Sequence, residues 1–147
     1  MPILNFGSCC IDNVYSVPHF AAPGETLPCL NYEIHPGGKG LNQSIALAAC
    51  GAEVHHFGKV GKDGHWLIEL LKSKNVTTNL MQIDEGPSGH ANIQVNPEGE
   101  NSIVLFGKNG LLYIFPEACK WKTRGTAGEI LNITAAQAEE AADAYLT

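Results

Sequence analysis

The sequence has 147 residues, of which 44% are apolar, and its formal net charge at pH 7 is −6. This length suits one domain, and the apolar fraction is high enough for a packed core, which excludes wholesale disorder. The negative charge without a basic patch argues against nucleic-acid binding, and no apolar stretch approaches the roughly 20 residues that span a bilayer.

The cysteines and the amino terminus predict a cytoplasmic location. The five cysteines are odd in number, Cys9 and Cys10 are adjacent, and no C-x-x-C motif occurs. This pattern argues against a disulfide framework or a zinc site and favours a reducing compartment. Residues 1–6 lack a basic segment followed by an apolar one, so no signal peptide is predicted. The paired His55 and His56 would point to opposite faces of a strand, so no metal site is predicted either.

The first half of the chain predicts alternating strands and helices. Residues 3–7 are apolar and end in glycine, as in a buried strand, and residues 29–35 alternate loosely, as in a half-exposed strand. A helix is expected to open at residues 36–40, and residues 54–57 predict the next strand. A second helix follows, with Asp63 as a candidate cap. This order predicts an α/β layer with a parallel sheet.

Beyond the second helix the pattern changes. Residues 91–95 alternate with period two, and an apolar run at residues 102–106 follows a turn cluster, which predicts a β-hairpin. Together with the strand at residues 29–35, this hairpin is expected to form a small sheet beside the main layer. Residues 110–147 have no clear period until a capping box at residues 134–137 predicts a terminal helix.

Residues 37–43 carry the most informative motif, G-G-K-G-L-N-Q. Glycines let the backbone approach a ligand, and a helix start presents free N–H groups and the positive end of its dipole. Asn42, in the first turn, can both donate to and accept from hydroxyls. A tight strand-to-helix turn without a ligand explains the motif equally well. The G-x-G-x-x-G spacing is absent, and residues 58–62 precede Asp63 rather than Ser or Thr, so a Walker-type ATPase is not supported.

Asp12 follows the first predicted strand, at the edge where α/β sheets bind ligands. A carboxylate can accept hydrogen bonds from two neighbouring hydroxyls at once, which suits a vicinal diol. The alternative is a turn aspartate that bonds its own backbone. The residue types leave both interpretations open.

An ordered series of motifs resembles the opening of the ribokinase-like (PfkB family) carbohydrate kinases. The series begins with G-S at residues 7–8, Asp12, P-G-E-T at residues 23–26 and residues 37–43. It continues with Gly51-Ala52, Gly58-x-x-Gly61-x-Asp63, Ser88-Gly89 and Gly99-Glu100-Asn101, to about Asn109. The resemblance implies an α/β fold, a partial ribokinase-like three-layer sandwich core with a small β-sheet lid, as a single partial domain over residues 1–147. Residues 110–147 match it poorly.

The resemblance also implies ATP-dependent phosphorylation of a sugar such as ribose, with Mg²⁺ and often a monovalent cation. By position, Asp12, Gly38 and Asn42 would hold the sugar hydroxyls. Gly37 belongs to the same substrate-binding set, and Lys39 would lie close to the phosphate side. Lid strands are expected near residues 12–35 and 89–106, and in many members of the family the lid also forms a homodimer.

The departures from the family pattern bear on activity. Cys10 stands where ribokinases usually have a sugar-binding Asn, and Trp66 stands where the family usually has Gly. The family's catalytic base is an Asp in a D-T-x-G-A-G-D-like segment, and this sequence contains no such segment. Asp143 lies in an Ala-rich stretch and does not match it. We therefore expect a truncated relative that is inactive alone, binds a sugar weakly and does not bind ATP.

Two further interpretations stay open. The chain could be a non-catalytic sugar-binding or lid-mediated dimerisation module, because an exposed strand edge pairs readily with a second copy. It could also be a truncated or rearranged gene product, which would leave an apolar sheet face exposed. Neither interpretation predicts a nucleic-acid or membrane partner.

Overall fold

The computed structural model describes residues 2–107 and a short strand at residues 130–131. Its elements follow in the order β1 (Ile3–Phe6), β2 (Cys10–Ser16), β3 (Asn31–Gly37), α1 (Lys39–Ala49), β4 (Val54–Gly61), a 3₁₀ turn (Lys62–Gly64), α2 (His65–Ser73), β5 (Val76–Asp84), β6 (His90–Val95), β7 (Asn101–Phe106) and β8 (Ile130–Leu131). They form a main sheet with a parallel core and a separate mixed sheet. The predicted α/β class with a small additional sheet is confirmed.

The main sheet has the strand order β5-β4-β1-β8. Strands β1, β4 and β5 run parallel, and β8 pairs antiparallel with β1. Helices α1 and α2 pack on this sheet through the fully buried side chains of Leu41, Leu67 and Leu71. Burial of each such leucine contributes about 1.5–3 kcal/mol to the free energy of folding, so these three side chains stabilise the packing of the helices on the sheet.

The second sheet, called here the small sheet, has the order β3-β2-β6-β7. Strand β2 lies at its centre, antiparallel to β3 and parallel to β6. The predicted grouping of β3 with the β6–β7 hairpin in one small sheet is confirmed, and β2 lies between them. Because β2 leads out of the main sheet through residues 7–9, it fixes the position of the small sheet relative to β1.

Two local predictions need correction. The strand predicted at residues 29–35 lies at Asn31–Gly37, and α1 begins at Lys39, within the predicted opening at residues 36–40. Pairing with β2 extends β3 as far as Gly37, and the positive φ of Gly38 (100°) ends it. Asp63 does not cap α2, because Gly64 is the capping residue and the Asp63 carboxylate bonds Ser88 instead.

One strand was not predicted from the sequence, and two predicted elements lie outside the described residues. Strand β5 was not predicted at all, although it is the longest strand of the main sheet. The apolar run and the terminal helix predicted within residues 110–147 lie outside the described residues. No helix of residues 2–107 is long and apolar enough to span a bilayer.

Candidate functional site

The backbone of Gly37, at the end of β3, lies in contact with the Asp12 carboxylate. Gly37 pairs with Cys10 across the β2–β3 ladder, two residues from Asp12. A Cβ atom on Gly37 would overlap both carboxylate oxygens of Asp12. The absence of a side chain at Gly37 is therefore what allows the carboxylate to lie against the start of the glycine-rich turn.

Gly38 sets the geometry of the turn from β3 into α1. Its φ of 100° and ψ of 130° lie in a region that L-residues with a side chain rarely adopt. A Cβ atom here would also overlap the carbonyl oxygen of Ser8. The same carbonyl accepts a 3.0 Å hydrogen bond from the Leu41 N–H, so the turn at residues 7–9 and the first turn of α1 are held together.

Lys39 and Asn42 lie on the first turn of α1, three positions apart and therefore on one face of the helix. Both side chains are exposed, whereas Leu41 between them is fully buried. The first turn of any α-helix also presents unpaired N–H groups and the positive end of the dipole. Lys39 and Asn42 thus lie on the helix turn that follows the glycines, and the Asp12 carboxylate lies against Gly37. An ammonium group, an amide and a carboxylate are a set suited to a polyhydroxylated ligand.

Cys10 is the immediate neighbour of the Asp12 carboxylate. Its thiol donates a 3.5 Å hydrogen bond to Asp12 Oδ1. Burial, together with the nearby carboxylate, raises the pKa of Cys10 to about 12, so the thiol stays protonated at neutral pH. A protonated thiol is a weak donor and a poor nucleophile, so Cys10 acts here as a small neutral neighbour of Asp12.

Asp63 and Ser88 join the small sheet to the main layer. The Ser88 hydroxyl and N–H both donate to Asp63 Oδ1, at 2.7 and 2.9 Å, and the Gly61 N–H donates to Ser88 Oγ at 2.9 Å. Burial alone would raise the pKa of Asp63, but these hydrogen bonds outweigh it and hold the pKa below its usual value. The contact fixes the residue that leads into β6 at the end of β4.

A cleft of about 340 Å³ lies between the small sheet and the start of α2. Its lining consists of Ile11, Asn13, Ile34, Asp63, Trp66 and His90. None of the five substrate-binding residues predicted from the sequence lines it. Ile11 and Asn13 alternate with Asp12 along β2, so this cleft faces the opposite side of the small sheet from the carboxylate.

A buried polar cluster behind the site was missed by sequence reasoning. Asn5, Ser44 and His56 are each fully buried. Ser44 Oγ lies 2.7 Å from His56 Nδ1, and Cys9 Sγ lies 3.3 Å from His56 Nε2. The signal in the sequence is an Asn in the otherwise apolar strand I-L-N-F, but nothing local identifies its partners.

The family assignment comes from a comparison with protein-family models. The model of the pfkB family carbohydrate kinases matches residues 3–122, which is most of the chain. The chain belongs to the pfkB carbohydrate kinase family. This confirms the resemblance predicted from the sequence.

Within the pfkB family, the chain is similar to ribokinases. It is 42% identical to a Haemophilus influenzae ribokinase over 102 residues, which cover 67% of this chain and 33% of the relative. A Cryptococcus neoformans ribokinase in complex with ADP aligns with a TM-score of 0.67 and 40% identity, over 71% of this chain and 34% of that one. An Arabidopsis thaliana ribokinase complexed with ribose and ATP aligns with a TM-score of 0.63 and 25% identity, over 71% and 35%.

The chain therefore spans about a third of the length of the pfkB family members that it matches. The matched third includes the carboxylate and the glycine-rich turn. Among residues 2–107, no group of three or more His, Cys, Asp or Glu side chains is arranged so that it could hold a metal ion. The sequence also has no D-T-x-G-A-G-D-like segment.

Proposed function

We propose that this chain carries the sugar-binding part of a ribokinase-type kinase and binds a sugar such as ribose. The substrate-binding residues are Asp12, Gly37, Gly38, Lys39 and Asn42. The single observation that carries the proposal is the contact of the Asp12 carboxylate with Gly37, at the turn that opens the helix bearing Lys39 and Asn42. The similarity to ribokinases, one of them solved with ribose and ATP, supports it.

Each group has a role that its chemistry suits. Asp12 accepts hydrogen bonds from two neighbouring hydroxyls, and the Asn42 amide both donates and accepts. Hydrogen bonds to a charged group contribute about 1.5–3 kcal/mol each, so the carboxylate supplies the largest polar share of sugar affinity. Lys39, one turn before Asn42, lies on the side where a phosphoryl group would approach.

We further propose that a polypeptide of these 147 residues alone does not transfer phosphate. In the complete reaction the γ-phosphate of ATP moves to a sugar hydroxyl, which requires aligned phosphates, neutralised charge and a base. Loss of the general base alone typically slows such a reaction by about 10²–10⁴-fold. This sequence lacks both the segment that carries the base and the glycines of the anion hole.

The test is a pair of calorimetric titrations of the purified chain, one with ribose and one with ATP and Mg²⁺. We expect weak, saturable ribose binding, weaker binding of 2-deoxyribose because it lacks one hydroxyl of the diol, and no ATP binding. Absence of any saturable sugar binding would contradict the proposed site. Turnover near ~1 s⁻¹ in a coupled assay of ATP-dependent ribose phosphorylation would contradict the inactive reading.

A second candidate function, dimerisation through the small sheet, is favoured by its exposed apolar side chains. Six of them lie on β3 and β7, namely Tyr32, Ile34, Ile103, Val104, Leu105 and Phe106. Leu105 is 76% exposed on the strand at the sheet edge. Exposed apolar side chains and an open strand edge are typical of an interface between protein copies.

Sedimentation velocity tests this second candidate. We expect a dimer that Leu105→Glu converts to a monomer, because a carboxylate at the centre of an apolar interface is costly to bury. The matched control is Ile83→Glu, at a 49% exposed position on β5 of the main sheet, which should leave the dimer intact. A wild-type chain that sediments as a monomer would exclude this function.

A further inference from the structure

The buried polar cluster of Asn5, Ser44, His56 and Cys9 connects three elements behind the candidate site. Asn5 lies in β1, Ser44 in the second turn of α1 and His56 in β4, while Cys9 lies in the segment between β1 and β2. None of the roles proposed above uses these side chains. Their position directly beneath the glycine-rich turn is the starting point for the inference.

The donor and acceptor of each hydrogen bond in the cluster can be assigned, starting from the Asn5 amide group. The Asn5 amide group donates to Ser44 Oγ at 2.8 Å and to the Gly40 carbonyl oxygen at 2.9 Å. The Ser44 hydroxyl proton is then free to donate to His56 Nδ1, so that the proton of the neutral ring resides on Nε2. Nε2 faces Cys9 Sγ, and the Gly7 backbone also hydrogen-bonds the ring.

Burial keeps the imidazole in this neutral form. It lowers the pKa of His56 to about 4, and the hydrogen bond that the ring donates to the Gly7 backbone opposes the shift only in part. Cys9, the titratable side chain in contact with the ring, is also neutral, because burial and the neighbouring Cys10 raise its pKa to about 12. The ring therefore acts as an acceptor at one nitrogen and a donor at the other.

The cluster holds the two backbone segments that carry the candidate site. Gly7 and Gly40 are in direct contact, since a Cβ atom on either would overlap the Cα of the other. On one side of this contact, residues 7–9 lead into β2 and Asp12. On the other side, the first turn of α1 carries Asn42. Asn5 holds the Gly40 carbonyl, and His56 links Ser44 to the Gly7–Cys9 side.

We propose that His56 is a positioning residue for the sugar site, which fixes the helix opening that carries Asn42 relative to the segment that leads to Asp12. The inference rests on the proposed function for its ligand, but His56 itself does not touch the sugar. A buried and mutually hydrogen-bonded set of polar groups selects one geometry, whereas apolar side chains of equal volume would pack without fixing orientation. Prearranged groups bind a ligand more tightly because less freedom is lost on binding.

The test variant is His56→Phe, which keeps a ring of similar volume and removes the contacts of the ring nitrogens with Ser44, Cys9 and the Gly7 backbone. Two quantities are measured on the full chain: the hydrogen-exchange rate of the Leu41 amide, which reports the contact with Ser8, and the dissociation constant for ribose. We expect the Leu41 amide to exchange at least about tenfold faster and ribose to bind at least about tenfold more weakly, with amides of the β4–β5 ladder unchanged.

The matched control is Phe57→Leu. Phe57 is the next residue of β4, is 3% exposed and packs on Phe6 on the opposite face of the sheet. This variant should lower the thermal stability while leaving both the Leu41 exchange rate and the ribose affinity within about twofold of the wild type. A change in the control as large as that in His56→Phe would overturn the proposal, because general destabilisation would then explain both.

A second variant, Ser44→Ala, removes one hydrogen bond of the ring without adding volume, and it decides the question if His56→Phe does not fold. Wild-type exchange at Leu41 in these variants overturns the inference, as does accelerated exchange with wild-type ribose affinity. If the wild-type chain binds no ribose, the proposed function fails, and the Leu41 exchange rates alone decide whether His56 fixes the helix opening.

Discussion

The Asp12 carboxylate lies against a glycine that leaves it room, with a thiol as its side-chain neighbour. We expect Asp12→Asn to weaken ribose binding by about 10–100-fold, because the amide loses the charge that strengthens two hydrogen bonds. Isothermal titration calorimetry measures the change. Asp84→Asn is the control, since that carboxylate bonds Lys59 at 2.7 Å on the main sheet. Equal affinities of the two variants would exclude Asp12 from the site.

Alanine substitutions at Gly38 and Gly24 distinguish the effect of backbone strain from the effect of steric overlap with the added Cβ atom. Both have positive φ angles, 100° and 80°, but a Cβ on Gly38 overlaps the Ser8 carbonyl whereas no atom lies within 4 Å of one on Gly24. We expect Gly24→Ala to cost about 1 kcal/mol of unfolding free energy, and Gly38→Ala to cost clearly more, beyond about 3 kcal/mol. Urea denaturation measures both. Equal losses of unfolding free energy in the two variants would mean that the backbone at residues 8 and 38 moves apart readily to accommodate the added Cβ atom.

At the scale of single residues, the sequence predicts most readily those candidate site residues that form a contiguous motif. The motif at residues 37–43 is visible locally, because its glycines and Asn42 are contiguous in the sequence, although a turn without a ligand would show the same pattern. The partners of His56 are not visible in this way. Asn5 and Ser44 lie 51 and 12 positions from it, and their hydrogen bonds exist only once three elements have packed. A buried histidine in V-H-H-F therefore looks the same in sequence as a surface one.

At the scale of elements, Ser88 connects the start of β6 with the end of β4. We expect Ser88→Ala to lower the unfolding free energy by about 1–3 kcal/mol, because it leaves the buried Gly61 N–H without its acceptor and removes one donor from Asp63. The control is Ser73→Ala, whose hydroxyl bonds the Leu70 carbonyl at the exposed end of α2. Guanidinium denaturation compares them. A larger loss in the control would show that the Ser88 contact does not anchor the small sheet.

Strand β5 was not predicted, and strand β2 was expected only from the family resemblance, for physical reasons. Strand β5 reads V-T-T-N-L-M-Q-I-D, and its polar residues hide the period because Val76 and Thr78 are buried beside α2 and β4 while the later residues are half-exposed. Strand β2 carries Asp12 and Asn13 in its middle, which resembles a loop. Strands β6 and β7 were predicted because a turn cluster separates two regular runs. Pairing of β2 with β6 depends on residues far apart in sequence, which local periodicity does not encode.

At the scale of the whole molecule, burial of a neutral histidine makes stability depend on pH. The pKa of His56 is about 4 in the folded chain, against an ordinary value of 6.5. Between these values the unfolded chain binds a proton that the folded chain does not. The contribution is therefore fully present above about pH 6.5, declines as the pH falls, and is lost by about pH 4, a difference of about 3 kcal/mol.

Unfolding free energies measured from pH 7.5 to pH 4 test this dependence. His56→Phe cannot take up that proton, so we expect the difference between wild type and variant to shrink steadily as the pH falls below 6.5. The two proteins differ only at residue 56, so the comparison isolates the contribution of His56. Parallel curves for the two proteins would mean that His56 is not buried in the neutral form.

The parallel pairing of β2 with β6 can form only late in the synthesis of the chain. The paired residues Ile11 and His90 are about 80 positions apart, so the two strands meet only after everything between them has been synthesised. Until β6 leaves the ribosome, β2 has a partner only in β3, and one of its edges stays open to other nascent chains. The second edge of β2, the strand that carries Asp12, is therefore covered last, and slow translation before residue 95 would prolong the interval in which the chain is most exposed to aggregation.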